Sequence, residues 1–241
     1  GKTTTEINLS ACLAEKGKRV LTIDMDPQGN TTSGLGIDKS TVEHTSYQLL
    51  TNETTIWEAM TPSIVPGLSV IASERSLAGA EIELIGVEDR EFILKKEVDK
   101  VRDNYDFVII DCPPSLNTLT VNAMTTADTV LVPIQCEYYA LEGLSELIYT
   151  IELVKERLNN KLEIEGVVFT MYDARTCLSL QVVENVKAHL NKNIYKTIIP
   201  RNVRLAEAPS HGKPINIYDT RSTGAESYRM LAAEVISRGE E

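Results

Sequence analysis

Cysteine is scarce and scattered in this sequence. Cys12, Cys112, Cys136 and Cys177 form no C-x-x-C pair in a chain of 241 residues. That argues for reduced thiols in a cytoplasmic setting and against a disulfide framework. Histidine is scarcer still: His44, His189 and His211 lie far apart, without the spacing of a zinc site. No apolar run approaches the roughly 20 residues of a membrane span. No Gly/Ser-rich linker, internal repeat or low-complexity tract divides the chain. It opens GKTTT with no apolar h-region, so no secretory leader is expected. Positive charge is also short: 24 Lys and Arg stand against 35 Asp and Glu, a formal net charge of −11. A surface basic all over for nucleic acid is thereby excluded, although a local basic patch is not.

What is present is enough apolar residue, 42% of the chain, to bury a sizeable core and to rule out wholesale disorder. Short runs rich in Val and Ile, each ended by turn residues, read as buried parallel strands at 19–24 (RVLTID), 68–72 (LSVIA), 106–111 (DFVIID), 129–133 (TVLVP), 164–170 (IEGVVFT) and 195–199 (YKTII). Helical patterns alternate with them at 4–16, 88–103, 141–158, 178–190 and 225–237. The first stops at Gly17, a residue suited to the position after a helix. Strand–helix alternation predicts an α/β fold, a doubly wound, mostly parallel sheet with helices on both faces, in a single domain over 1–241. Ligands in such folds sit at the carboxyl ends of the strands.

Three elements fall at those ends. Gly1-Lys2-Thr3-Thr4 before a helix is the tail of the phosphate-cradling pattern G-x-x-x-x-G-K-[ST]. Glycine allows close backbone approach, lysine brings a point charge, a hydroxyl can ligate Mg²⁺, and the helix N-terminus adds its positive dipole end. An ordinary turn into a helix would read the same way. The second element, Asp24-Met25-Asp26-Pro27-Gln28-Gly29-Asn30, follows a buried strand. Asp26 there can position or polarise a water attacking a γ-phosphate, with Asp24 near the magnesium shell or the sheet end. The alternative is an Asx-turn closing the strand. The third, Phe107 to Asp111 followed by Cys112-Pro113-Pro114, has the apolar run and terminal acid of a Walker-B strand, whose carboxylate reaches Mg²⁺ through water. A core strand with a capping acid is the alternative. All three in this order are much harder to explain by chance.

The stretch GKTTTEINLSACLAEKGKRVLTIDMDPQGNTTSGLG resembles the opening of the ParA/Soj family of chromosome- and plasmid-partitioning ATPases, the deviant-Walker-A branch of P-loop NTPases. LAGAEIEL, YDFVIIDCPPSL, QCEYYALEGLSEL, TMYDART and IIPRNVRLAEAPSHGKP agree with it, so that it runs from residue 1 to about residue 238. The resemblance implies ATP and Mg²⁺ as cofactors. Gly1, Lys2, Thr3 and Thr4 would bind the nucleotide, Lys2 and Asp26 would serve catalysis, and Thr3 and Asp111 would hold the metal. Pro200 and Asn202 match positions near the adenine. Arg175 and Arg204 match arginines that bind double-stranded DNA without sequence preference in an ATP-bound homodimer. A ParB-type centromere-binding partner would stimulate slow hydrolysis, and the protein would be cytoplasmic and nucleoid-associated, with no membrane contact. Three departures stand out. The family's loop begins Lys-Gly-Gly, with a first lysine that reaches the partner's nucleotide; that lysine and the first, central strand are not in this sequence, so the chain is expected to be N-terminally truncated and slow. Asn117 and Cys177 stand where a glycine and an asparagine are expected.

Between Arg175 and Lys213 lie seven basic residues, Arg175, Lys187, Lys192, Lys196, Arg201, Arg204 and Lys213, against two acids, Glu184 and Glu207. This fits one basic face on an acidic body, with salt-sensitive, sequence-tolerant phosphate contacts; a solvated helix face fits it too. Competing functions are a non-hydrolysing DNA-binding scaffold, a MinD-like membrane-associated ATPase and an iron–sulfur reductase or carrier. The MinD-like reading needs a basic amphipathic C-terminus, whereas the chain ends SRGEE. The iron–sulfur reading would make ligands of Cys112 and Cys136, which lack Gly-rich cluster loops and read as buried thiols.

Overall fold

The computed structural model describes residues 1–137, 140–189 and 193–239. Tyr138 and Tyr139 of the QCEYYALEGLSEL stretch, Leu190, Lys192 and the terminal Glu240 and Glu241 lie outside the described residues. The runs of Val and Ile form strands where the sequence places them. In chain order these are β1 (Val20–Asp24), β3 (Leu68–Ile71), β4 (Phe107–Asp111), β5 (Thr129–Gln135), β6 (Glu163–Tyr172) and β7 (Ile194–Pro200). A short antiparallel edge strand, β2 (Met60–Pro62), was not foreseen.

The strands make two sheets, ordered β2-β3-β1-β4 and β5-β6-β7. All pairings except β2 with β3 are parallel. β1 sits between β3 and β4, and its five residues are all buried. Alternate residues feed opposite cores, as a pleated strand requires. Val20 packs with Ile7, Leu9 and Leu13 of the helix Lys2–Glu15 and with Tyr228 and Leu231 of the helix Thr223–Gly239. Leu21 and Ile23 pack on the other face with Leu49, Leu50, Leu77 and Leu94. The second sheet packs one face, through Val132, Ile134, Val167 and Phe169, against Leu144 of Ala140–Arg157 and Val182, Val183 and Val186 of Cys177–His189. The first core also takes in Val168, Tyr195 and Ile199, so it spans both sheets.

Between β4 and β5 the sheet is interrupted. A cleft of about 860 Å³ runs between the two strands, lined by residues 107–114 on one side and 129–133 on the other. Leu9 and Leu13 close one face and Met124 and Leu147 the other. The consequence is visible in β4, where residues 107–110 are half-buried although the sequence (FVII) is as apolar as that of the fully buried β1.

One helix expectation needs correction. The span 88–103 is not one helix but a 3₁₀ turn at Arg90–Phe92, a short helix at Ile93–Val98 and a second 3₁₀ turn at Arg102–Asn104. Asp89 takes a left-handed φ of 55°. Asn122 then donates to the Arg90 carbonyl at 2.9 Å and accepts from the Leu94 amide at 3.2 Å, so side-chain bonds replace helical ones. Among the described residues, no helix is long and apolar enough to cross a membrane.

Candidate nucleotide and metal site

The helix Lys2–Glu15 starts at Gly1 with no side-chain cap and no acid in its first turn. Its leading amides therefore have no built-in acceptor, and the positive end of the helix dipole is augmented by Lys2. Glycine is required at residue 1 by contact: a Cβ there would lie 2.7 Å from Thr170 Oγ1, near the end of β6. That hydroxyl is fixed by donating to the Ile134 carbonyl of β5 at 3.2 Å.

The parallel register of β1 and β4 sets Asp24 beside Asp111 at the carboxyl edge of the sheet. Asp111 is buried and accepts a hydrogen bond from Thr31 Oγ1 at 2.8 Å. Burial raises its pKa above the ordinary carboxylate value, while bonds from Thr31 and Thr3 and the charge of Lys2 oppose the rise; Asp26 adds to it. Lys2, Thr3, Asp26 and Asp111 thus converge, from three segments far apart in sequence. Asp24 lies at the sheet end, one of the two places the sequence allowed. It is wholly buried, and both of its oxygens are taken by the loop that follows it. Oδ2 accepts from the Thr32 amide (2.9 Å) and Thr32 Oγ1 (2.7 Å), and Oδ1 from the Asp26 amide (3.1 Å). Burial pushes its pKa up to about 6 against those bonds.

At Asp26 the structure shows the Asx-turn. Oδ1 accepts from the Gln28 amide at 2.9 Å, which shapes the turn. The carbonyl of Asp26 accepts from Ser73 Oγ at 2.7 Å, pinning the loop to the end of β3. Gly29 has φ 61°, and a Cβ there would meet the Ser73 carbonyl at 2.5 Å, so the loop depends on glycine. Thr31, Thr32 and Ser73 were missed from sequence; the NTTSGLG stretch signals a polar loop but not which carboxylate each hydroxyl meets. Glu6 was missed as well. It is buried one turn into the first helix, faces Asp111 and Asp24, and keeps Oε1 without a hydrogen-bond partner. Burial holds its carboxyl well above the usual range, and the charge of Asp111 adds to that. With Glu6, Asp24 and Asp26 near Asp111, and Lys2 beside it, the site carries an excess of carboxylate. Its donors, hydroxyl and carboxylate oxygens, are the hard ligands that magnesium takes. The residues therefore suit a magnesium-bound polyphosphate.

The other expected residues occupy the same edge on the second sheet. Pro200 ends β7 in register with Tyr172 of β6. Asn202 caps the short helix Val203–Glu207 by accepting from the Arg204 amide at 2.8 Å, and donates to Thr223 Oγ1 at 2.7 Å. Arg175, beyond β6, is 87% exposed and forks onto Asp173, with Nε at 2.9 Å and Nη2 at 2.7 Å. Arg204 is 55% exposed and pairs with Glu207 at 2.9 Å and Asp219 at 3.4 Å. Arg201 lies 4.0 Å from Glu137. The count of seven bases against two acids along the sequence therefore overstates the charge in space, because Asp173, Asp219 and Glu137 fold back onto it. Cys12 and Cys136 are buried, Cys112 half-buried and Cys177 exposed. Burial, reinforced by Asp111, pushes the Cys112 thiol up to about 12.

Comparison with known proteins adds to this geometry. A family model described as an AAA domain matches residues 1–164. The sporulation initiation inhibitor protein Soj of Bacillus subtilis is 56% identical over 239 residues, covering 99% of this chain and 94% of the relative. The chromosome partitioning protein ParA of Caulobacter vibrioides is 52% identical over 240 residues, 99% of this chain and 90% of the relative. Among solved structures, cobyrinic acid a,c-diamide synthase from Mycobacterium smegmatis with a bound ATP analogue and magnesium superposes with a TM-score of 0.86 at 34% identity, covering 100% of this chain and 91% of that one. The cell division ATPase MinD of Pyrococcus furiosus, at 24% identity and a TM-score of 0.81 over 98% of this chain and 93% of its own, shares the fold.

Proposed function

The chain belongs to the family of the Soj and ParA chromosome-partitioning proteins, and from that premise we propose that it is a magnesium-dependent ATPase whose nucleotide state switches its hold on DNA. The observation that carries the proposal is the convergence of Lys2, Thr3 and Asp26 on Asp111 at one sheet edge. Lys2 and the leading helix amides bind and orient the β- and γ-phosphates. Thr3 and Asp111 hold the metal, which when bound supplies neutralisation of the charge developing on the transferred phosphoryl group. Asp26, on a loop braced by Asp24 and Ser73, orients the attacking water and takes up its proton. Little else is asked of the protein, so turnover is slow.

ATP-bound chains pair as a homodimer, and Arg175 and Arg204 of both copies contact DNA phosphates without reading bases. Pro200 and Asn202 line the adenine side. A ParB-type partner stimulates hydrolysis and so ends the DNA-bound state, which places the protein on the nucleoid. An extended segment parallel to β4 and β5, preceding Gly1, fills the cleft between them and makes one sheet of the two. Its support is the pair of facing strand edges, which would otherwise expose unpaired backbone groups, and the apolar walls. With that segment present the chain is one domain. The test is phosphate release from Mg-ATP by the chain extended through that segment, with and without random-sequence DNA. Expected is slow release that Asp26→Ala abolishes while Mg-ATP binding persists. Undiminished release by Asp26→Ala rejects the assignment, and DNA binding indifferent to nucleotide favours the non-hydrolysing scaffold.

A further inference from the structure

Asn117 stands where the resemblance leads one to expect glycine, and it does two things that glycine cannot. Its Oδ1 accepts from the Thr120 amide at 3.0 Å, capping the helix Thr118–Thr126. Its Nδ2 donates to Glu81 Oε1 at 2.6 Å and reaches Ser115 Oγ at 3.3 Å. The orientation of the amide is fixed by chemistry, since a carboxylate only accepts and a backbone N–H only donates. Both residues are half-buried, where a hydrogen bond to a charged group is worth more than one in open water.

The bond closes a ring. Ser73, at the end of β3, donates from Oγ to the Asp26 carbonyl (2.7 Å) and from its amide to Thr32 Oγ1 (2.9 Å). Thr32 donates to Asp24, and Thr31 beside it donates to Asp111. From Asp111 the chain runs forward to Asn117. From Ser73 it runs forward into the helix Leu77–Glu83, which carries Glu81. Asn117 to Glu81 joins the two ends.

We infer that Asn117 is a positioning residue that ties the segment following Asp111, through Glu81, to the helix Leu77–Glu83, so that the two acid-bearing loops of the site respond as one frame. The existence of the tether rests on the ring of hydrogen bonds; its consequence for nucleotide rests on the ATPase reading above.

The test is amide hydrogen exchange on the chain extended through the segment preceding Gly1, with Asn117→Asp and Asn117→Asp/Glu81→Gln. The single variant keeps an acceptor for the Thr120 amide, so the cap survives, but it sets like charges face to face. The double variant restores a donor–acceptor pair with the roles exchanged and leaves the net charge unchanged. Without nucleotide, the Leu84 and Ile85 amides, bonded to Ala80 and Ile82, exchange about tenfold faster in Asn117→Asp, the scale of one charge-assisted bond, and return to within about twofold of the parent in the double variant. Equal exchange in parent and Asn117→Asp, or no rescue, overturns the tether. With Mg-ATP added, the parent gains protection at Leu84 and Ile85 and Asn117→Asp does not; equal protection in both overturns the coupling. Failure of the parent to bind Mg-ATP rejects the ATPase reading, while the nucleotide-free arm still decides the tether.

Discussion

The carboxylates that end β1 and β4 are buried and hydrogen-bonded by the loop at 31–32, whereas the arginines that follow β6 and β7 stand in water beside neighbouring acids. Asp24 takes three hydrogen bonds at zero exposure; Arg175 meets Asp173 at 87% exposure. The first arrangement fixes geometry before a ligand arrives, at the cost of desolvating charge, and the raised pKa values of Glu6, Asp24 and Asp111 record that cost. The second is cheap to rearrange, because exposed ion pairs contribute only about 0–1 kcal/mol. A phosphate oxygen can replace Glu207 as the partner of Arg204 with little loss. One edge of the molecule is thus built for positioning and the neighbouring one for exchange of partners.

The contrast is sharpest at Lys2 and Asp26. Lys2→Ala or Asp26→Ala is expected to lower single-turnover ATP hydrolysis by about 10³-fold, and only Lys2→Ala should also weaken Mg-ATP binding; equal loss of affinity in both would break the division of roles. Asp24→Asn tests the fixed geometry itself. It offers one acceptor where three donors converge, and a loss of about 2–3 kcal/mol in urea unfolding with an unchanged slope is expected; a change under 0.5 kcal/mol would mean the loop is not braced. On the exchangeable edge, Arg175→Ala and Arg204→Ala should each weaken DNA binding about 3- to 10-fold, equally for unrelated sequences, and each reduce the slope of log K against log salt by about 1. Loss confined to one sequence would assign these residues to base readout.

The smallest effect is in pH. A carboxylate with a folded pKa above its unfolded value binds more protons in the native state, so stability is greatest below the ordinary carboxylate range and declines as pH rises through the folded value. For Asp24 that decline runs from pH 3.8 to about 6, and for Glu6 it extends upward from 4.5. Glu6→Gln removes its share. Melting curves between pH 4 and 8 should then show a flatter decline and a gain on the order of 0.5 kcal/mol at pH 8; a steeper decline would mean that Glu6 is ionised and paired in the native state.

Much of the positioning edge was legible. VLTID and FVIID are apolar runs ended by an acid, and burial of the run carries that acid to the carboxyl edge whatever the rest of the chain does. The helix Thr118–Thr126 was not legible, because TLTVNAMTT is rich in β-branched residues that favour strands. Its helix stands on the Asn117 cap, on the Asn122 bonds to Arg90 and Leu94, and on the burial of Leu119, Ala123 and Met124. The basic edge was half legible: the arginines are plain in the sequence, but Asp219 and Glu137, which fold onto Arg204 and Arg201, come from outside the run that carries them.

Sequence alone determined the family, the parallel α/β architecture and which acids end which strands, since these follow from local apolar runs and contiguous motifs. The tertiary structure decided that Asp24 braces the loop, that Thr31 holds Asp111, that Glu6 lies buried among like charges, and that Asn117 reaches Glu81. Each of those outcomes depends on which side chains meet across strands and loops, and a one-dimensional pattern carries donors and acceptors without their partners.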